Sequence, residues 1–222
     1  IALAEAGRAK RNPRQLASDI ISNIEFSPDF IDRVEVAGPG FINFSFSHSY
    51  LTDQVVRIYQ EGMDYGSLDI GKGRRILIEF VSANPTGPLV LVSARAASVG
   101  SALVKLYDKA GYQVESEYYL NDAGSQIDKL GVSLMIRFRQ RLGENVRLPE
   151  DCYPGDYLVD IAGEIPVEEG KKWLQRPEKE ALKRFSEFAL SRVVDMIRED
   201  LKYFEVEFDS FFPESKLHRK GG

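Results

Sequence analysis

The stretch ILIEFVSANPTGPLVLVSARAASVGSALVKLYDKAGYQVESEYYL, residues 76–120, decides how this chain folds. It opens with a short apolar run, ILIEFV. Strands of this kind are found buried in parallel sheets. The run stops at SANPTGPL, residues 82–89, where Asn84-Pro85 and Gly87-Pro88 forbid both helix and strand. Val92, Ala96, Val99, Leu103, Leu106 and Ala110 then recur at helical spacing, and Gly111 ends the pattern. YQVESEYYL supplies a second strand. A crossover of this length predicts a right-handed β-α-β unit with parallel strands, hence an α/β fold.

Working outward, residues 124–142 predict a helix with Ile127, Leu130, Leu134 and Phe138 as its stripe and Gly143 as its stop. ENVRLPEDCYPGDY is a loop, and LVDIAGEI a short helix. Leu190, Val193, Val194, Ile197, Leu201 and Phe204 mark a long helix, and EVEFDSFFPES a last strand and turn. Towards the N-terminus, Asn12-Pro13 gives an N-cap followed by a first-turn proline, with Leu16, Ile20 and Ile24 on the following helix. FIDRVEVAGPGFINFSFS alternates as a hairpin about Gly38-Pro39-Gly40. Leu51, Val55 and Ile58 return to helical spacing. The expected organisation is a small α+β domain over 1–63, a glycine-rich linker over 64–74 and an α/β domain over 75–222. The GKG within the linker lacks the remaining residues of a phosphate loop.

Composition narrows the function classes. Of 222 residues, 43% are hydrophobic and 28% charged, as in soluble globular chains. A net charge of −5 argues against non-specific nucleic-acid binding, although a local basic patch can coexist with it. The single cysteine, Cys152, leaves no internal disulfide and fits a cytoplasmic setting. The chain starts without Met, inside a helical pattern, and ends LHRKGG with no structural stop. We therefore expect a piece of a longer protein.

In an open parallel sheet, ligands meet the carboxyl ends of the strands, which is where 82–89 lies. Glu79 is the odd residue of its strand. Spacing alone leaves it paired with a protein arginine, placed at an exposed strand end, or waiting for a cationic ligand.

Two long motifs carry a resemblance. IEFVSANPTGPL and the later YYLNDAG, together with YPGDYLVDIA, FDSFFPES, NPRQLASDI and GPGFINFSFS, resemble the arginyl-tRNA synthetases along essentially the whole chain. The resemblance implies a partial Rossmann-like class I synthetase catalytic domain behind the end of an N-terminal domain that contacts tRNA. It also implies ATP-dependent ligation of L-arginine to tRNA-Arg, with ATP and Mg2+ as cofactors. By position, Glu79, Ser82 and Asn84 would hold the arginine. A carboxylate suits a cationic substrate, and the hydroxyl and amide suit its polar groups. Asn121 and Asp122 would line the same crevice, or instead form a local Asx turn.

The sequence departs from the family at one place. PTGPL should run into a His-x-Gly-His motif whose histidines meet the ATP phosphates as pyrophosphate leaves. Here Val90, Val92 and Ser93 stand at the first histidine, the glycine and the second histidine. The next glycines are Ala94 and Ala96, and an acidic position is Ser101. Valine donates nothing to phosphate, and donors of this kind contribute roughly 3 kcal/mol each to a transition state. The expectation is a chain that keeps the arginine end of the pocket and lacks the ATP end, and so does not catalyse the family reaction. The alternative is a non-catalytic descendant that binds tRNA, arginine or a partner protein. The only histidines, His48 and His218, lie far from the motif in sequence.

Overall fold

The computed structural model describes residues 1–218, which divide into two compact units, the first Ile1–Ser67 and the second beginning at Leu68. In the first unit, α1 (Ala2–Ala9) and α2 (Pro13–Ser22) precede an antiparallel hairpin of β1 (Ile31–Ala37) and β2 (Phe41–Phe46), and α3 (His48–Glu61) follows. The Asn12 side chain accepts from the amides of Arg14 and Gln15, so α2 starts where an N-cap and a first-turn proline dictate. Its deepest residue is Ala17, fully buried, rather than the larger Leu16, Ile20 or Ile24. No residue of α3 is buried; Leu51, Val55 and Ile58 all lie exposed.

The second unit contains β3 (Arg75–Glu79), α4 (Leu91–Lys109), β4 (Gln113–Leu120), α5 (Ser125–Arg141), α6 (Tyr157–Glu164), α7 (Val167–Leu174), α8 (Glu178–Tyr203) and β5 (Ser210–Pro213). The three strands form a parallel sheet in the order β3-β4-β5. This is the α/β architecture with parallel strands that the sequence implied. Residues 68–73 bind to the end of α4: the Leu68, Gly71 and Gly73 amides donate to the carbonyls of Lys109, Ala110 and Gly111. Across β4 and β5, Asp209 accepts from the Ser116 amide at 2.7 Å and its hydroxyl at 2.6 Å.

The core lies between the sheet and the helices that follow β4. Leu130, Leu134 and Phe138 of α5 meet Leu158 and Ile161 of α6 and Phe185, Ala189, Val193 and Ile197 of α8. The stripe expected on α5 is the buried one. Helix α7 was not anticipated. Pro166 and Pro177 bracket its region, and Gly170 sits so close to Phe138 that a Cβ there would lie 2.1 Å from the ring.

The expected stripe on α4 is wrong. Val92, Val99, Leu103 and Leu106 are 69%, 54%, 40% and 65% exposed, and the inward face is Ser93, Ala97 and Gly100. The reason is closeness. A Cβ on Gly100 would fall 2.1 Å from the Phe80 ring, so only a row of small residues lets the helix lie this near.

Two outcomes follow from this packing. Gly100→Leu lowers stability by about 1–3 kcal/mol in denaturant melts through overpacking against Phe80. Leu106→Ser changes it by less than about 0.5 kcal/mol. The hydrogen bonds from Ser116 hold the Asp209 carboxyl below its ordinary value. A folded value below the unfolded one gives stability that is present above the unfolded value of about 4 and lost as pH falls through the folded one. Asp209→Asn flattens that acid limb of the unfolding midpoint.

Candidate functional site

β3 ends in a loop whose backbone is unusual. Phe80 still donates its amide to the Glu117 carbonyl, at 3.3 Å, and its ring packs on Phe208 with centroids 4.3 Å apart. The chain then turns sharply. Val81 and Ser82 take φ values of 64° and 39°, in the left-handed region that a β-branched residue avoids. The Ser82 amide bonds back to the Phe80 carbonyl at 2.9 Å. Such a conformation persists only when its surroundings over-determine it.

They do so here. The Tyr119 amide donates to the Ser82 hydroxyl at 3.0 Å, and the Tyr118 hydroxyl donates to the Ala83 carbonyl at 2.9 Å. The Tyr157 hydroxyl donates to the Thr86 carbonyl, and the Thr86 amide to the Asn84 carbonyl at 2.8 Å. Pro85 is fully buried beneath the loop. Burial pushes both phenols, Tyr118 and Tyr157, up to about 12, so each remains a donor across the accessible pH range.

The residues singled out in the sequence gather at the ends of the parallel strands. Glu79 closes β3, pairs in register with Glu117 and is exposed. Among the described residues it makes no ion pair, so it lies at an exposed strand end and no burial cost demands a partner. Ser82 is half-buried with its hydroxyl committed to β4, and Asn84 is exposed. The Asn121 side chain lies 3.5 Å from that of Asn84. With its amide oriented to satisfy both ends, Asn121 donates to Glu214 Oε2 and to the Ala123 carbonyl.

Asp122 does something else. Its carboxylate accepts from the Ser215 amide at 2.8 Å and the Ser215 hydroxyl at 2.7 Å, tying the end of β4 to the turn after β5. Its partner is therefore a residue 93 positions away rather than the neighbouring backbone of a local Asx turn. The same turn brings in Glu214, which the sequence reading passed over although FDSFFPES ends on it. Desolvation, followed by the carboxylates of Glu214, Asp122 and Glu79, holds the Tyr119 phenol above its ordinary value. The three carboxylates therefore lie near one phenol, with Lys216 over the neighbouring Phe212 ring.

The start of α4 has a different character. Val90, Leu91 and Val92 are 62%, 88% and 69% exposed, while Ser93 is buried against the core. Val90 occupies the N-cap position without a side-chain cap. Leu89, Val90, Leu91, Ala94 and Ala97 line an open cavity of about 270 Å³ with Asp200, Leu201 and Phe204 of the α8 region. No side chain in residues 90–92 can donate to or neutralise a phosphate. His48 opens α3 directly after its N-cap Ser47, with its ring 3.4 Å from the Thr52 hydroxyl, in the other unit. His218 is 67% exposed and 3.6 Å from Glu214. No group of His, Cys, Asp or Glu among the described residues could hold a metal, and no described helix is long and apolar enough to cross a membrane.

Comparison with known proteins agrees with this architecture. Residues 1–46 match the family model for the arginyl tRNA synthetase N terminal domain. The whole chain is 44% identical to an arginine–tRNA ligase of Shouchella clausii and 42% identical to one of Oceanobacillus iheyensis. It covers 40% of the length of each. A solved structure from Campylobacter jejuni, provisionally assigned as an arginyl-tRNA synthetase, superposes with a TM-score of 0.69 at 32% identity. That match covers 78% of this chain and 38% of the other. Along its whole length the chain is thus similar to arginyl-tRNA synthetases, and it spans two fifths of the curated relatives it matches.

Proposed function

We propose that this chain is the arginine-binding portion of an arginine–tRNA ligase whose ATP end has been given up. The observation that carries the reading is the contrast along one loop. The exposed Glu79 carboxylate at the end of β3 and the exposed Asn84 amide after it are followed along the chain by an exposed apolar helix start. Glu79 faces the guanidinium, with Glu214 adding to the field. Asn84 and Asn121 offer amides to the rest of the amino acid. Ser82 contributes by fixing the loop, because its hydroxyl is already bonded to β4.

ATP with Mg2+ is the cofactor of the family reaction. The residues present do not fit its phosphates. Val90 and Val92 bring neither a donor nor a positive charge, and Val92 puts a branched side chain where the motif has glycine. Adenylate formation is therefore not assigned to this chain. tRNA-Arg and a cytoplasmic place in translation belong to the same reading. A second reading, a non-catalytic descendant that binds tRNA, arginine or a partner protein, draws on the same apolar helix start. It differs in the first unit: a descendant that kept its RNA role would still retain arginine tRNA on a filter, with an affinity that falls as salt rises.

Titration calorimetry tests the arginine site. L-arginine binds the chain, citrulline does not, and Glu79→Gln weakens arginine roughly ten- to a hundredfold, the loss of a charge-assisted contact. No heat with arginine sinks the proposal. ATP is the second titrant. The chain shows no saturable binding, whereas a Val90→His, Val92→Gly, Ser93→His variant gains it. Saturable ATP binding by the unaltered chain would overturn the assignment of residues 90–93.

A further inference from the structure

We propose that Tyr157, from the first turn of α6, is a positioning residue for the arginine loop: its hydroxyl holds the Thr86 carbonyl and through it sets Asn84. The inference rests on the reading of 82–86 as part of an arginine site, and it assigns a role to a residue outside that loop and 71 positions away.

The mechanical path is continuous. The turn before α6 is anchored to α5, since the Tyr153 amide donates to the Ser133 hydroxyl at 2.9 Å and Arg137 Nη2 donates to the Pro154 carbonyl at 2.7 Å. Ser133 is itself fully buried and bonded to the Lys129 carbonyl. Tyr157 leaves this anchored turn with its ring between two glycines. A Cβ on Gly155 would come within 2.3 Å of the ring, and one on Gly87 would lie 3.4 Å from its edge and hydroxyl. The ring therefore has little room to swing. Its hydroxyl meets the Thr86 carbonyl, and the Thr86 amide closes onto the Asn84 carbonyl at 2.8 Å.

On the other side, Tyr118 and Tyr119 hold Ala83 and Ser82. Asn84 is thus suspended between a sheet-borne tether and a helix-borne one, and only the helix-borne tether reaches it through Thr86. A loop with two left-handed non-glycine residues relaxes towards ordinary backbone angles when a tether is cut. Relaxation carries the Asn84 amide away from the substrate, which is a loss of geometry rather than of contact.

The test compares the chain with its Tyr157→Phe variant, which keeps the ring and removes the donor. Three quantities are read: L-arginine affinity by calorimetry, amide hydrogen exchange, and the unfolding midpoint. The expected result is a roughly three- to tenfold weaker affinity. Faster exchange is confined to 82–87, and the exchange of α6 and α8 and the midpoint stay unchanged. Unchanged affinity and loop exchange overturn the proposal. So does a midpoint that falls while exchange rises throughout α6, because that is the signature of a merely structural hydroxyl. If the unaltered chain binds no arginine, the arginine-site reading falls. The tether is then judged by loop exchange alone, with faster exchange at 82–87 upholding it and no change overturning it. Should the variant not fold, the unaltered protein decides. A Tyr157 hydroxyl proton protected from water, with nuclear Overhauser contacts to residues 86 and 87, upholds the bond, and a freely exchanging one overturns it.

Discussion

The hydroxyl of Tyr118 is where the core and the loop are joined. Its ring is completely buried, stacked on Phe211 at 4.9 Å and edge-on to Phe208 at 5.5 Å. A phenol so placed must find a partner for its O–H, and the Ala83 carbonyl is that partner. The sheet, the aromatic cluster behind it and the irregular backbone of 81–86 are therefore satisfied together. Removing the carbonyl leaves a buried donor unmatched, and removing the ring empties the centre of β4. The left-handed Val81 and Ser82 are tolerated because this contact and the Ser82–Tyr119 bond leave the chain no cheaper route.

Much of the fold was legible. The stripe on α5, the cap at Asn12, the hairpin turn and the parallel crossover all follow from local patterns, and each is present. The misreading of α4 is instructive. Periodicity identifies the large apolar residues, and it assumes that they face the core. Here the helix approaches Phe80 so closely that Ser93, Ala97 and Gly100 face inward, and the larger residues are left outside. A row of small residues at spacings of three and four was the available signal. It was read as background because small residues carry little hydrophobic weight.

The site was legible in a different way. Glu79, Ser82 and Asn84 could be assigned by position, and they do lie at the strand ends. Their mechanical roles could not be assigned. Ser82 bonds to β4, Asp122 staples two strands through Ser215, and Glu214 and Tyr157 enter from 128 and 71 positions downstream of Thr86. Contacts of that separation leave no local trace in a sequence. Only the arrangement of the strands brings Glu214 beside Asn121, and only the turn before α6 carries Tyr157 to Thr86.

The two ends of the loop are secured by different means. Residues 82–86 hang from Tyr118, Tyr119 and Tyr157, whereas the start of α4 is held by its own helical bonds and by Ser93 against the core. Among the described residues they share no hydrogen-bond partner. Free-energy changes at sites without shared partners tend to add. The start of α4 could thus be rewritten without disturbing the tethered loop before it, so one stretch is free to drift while its neighbour stays under constraint.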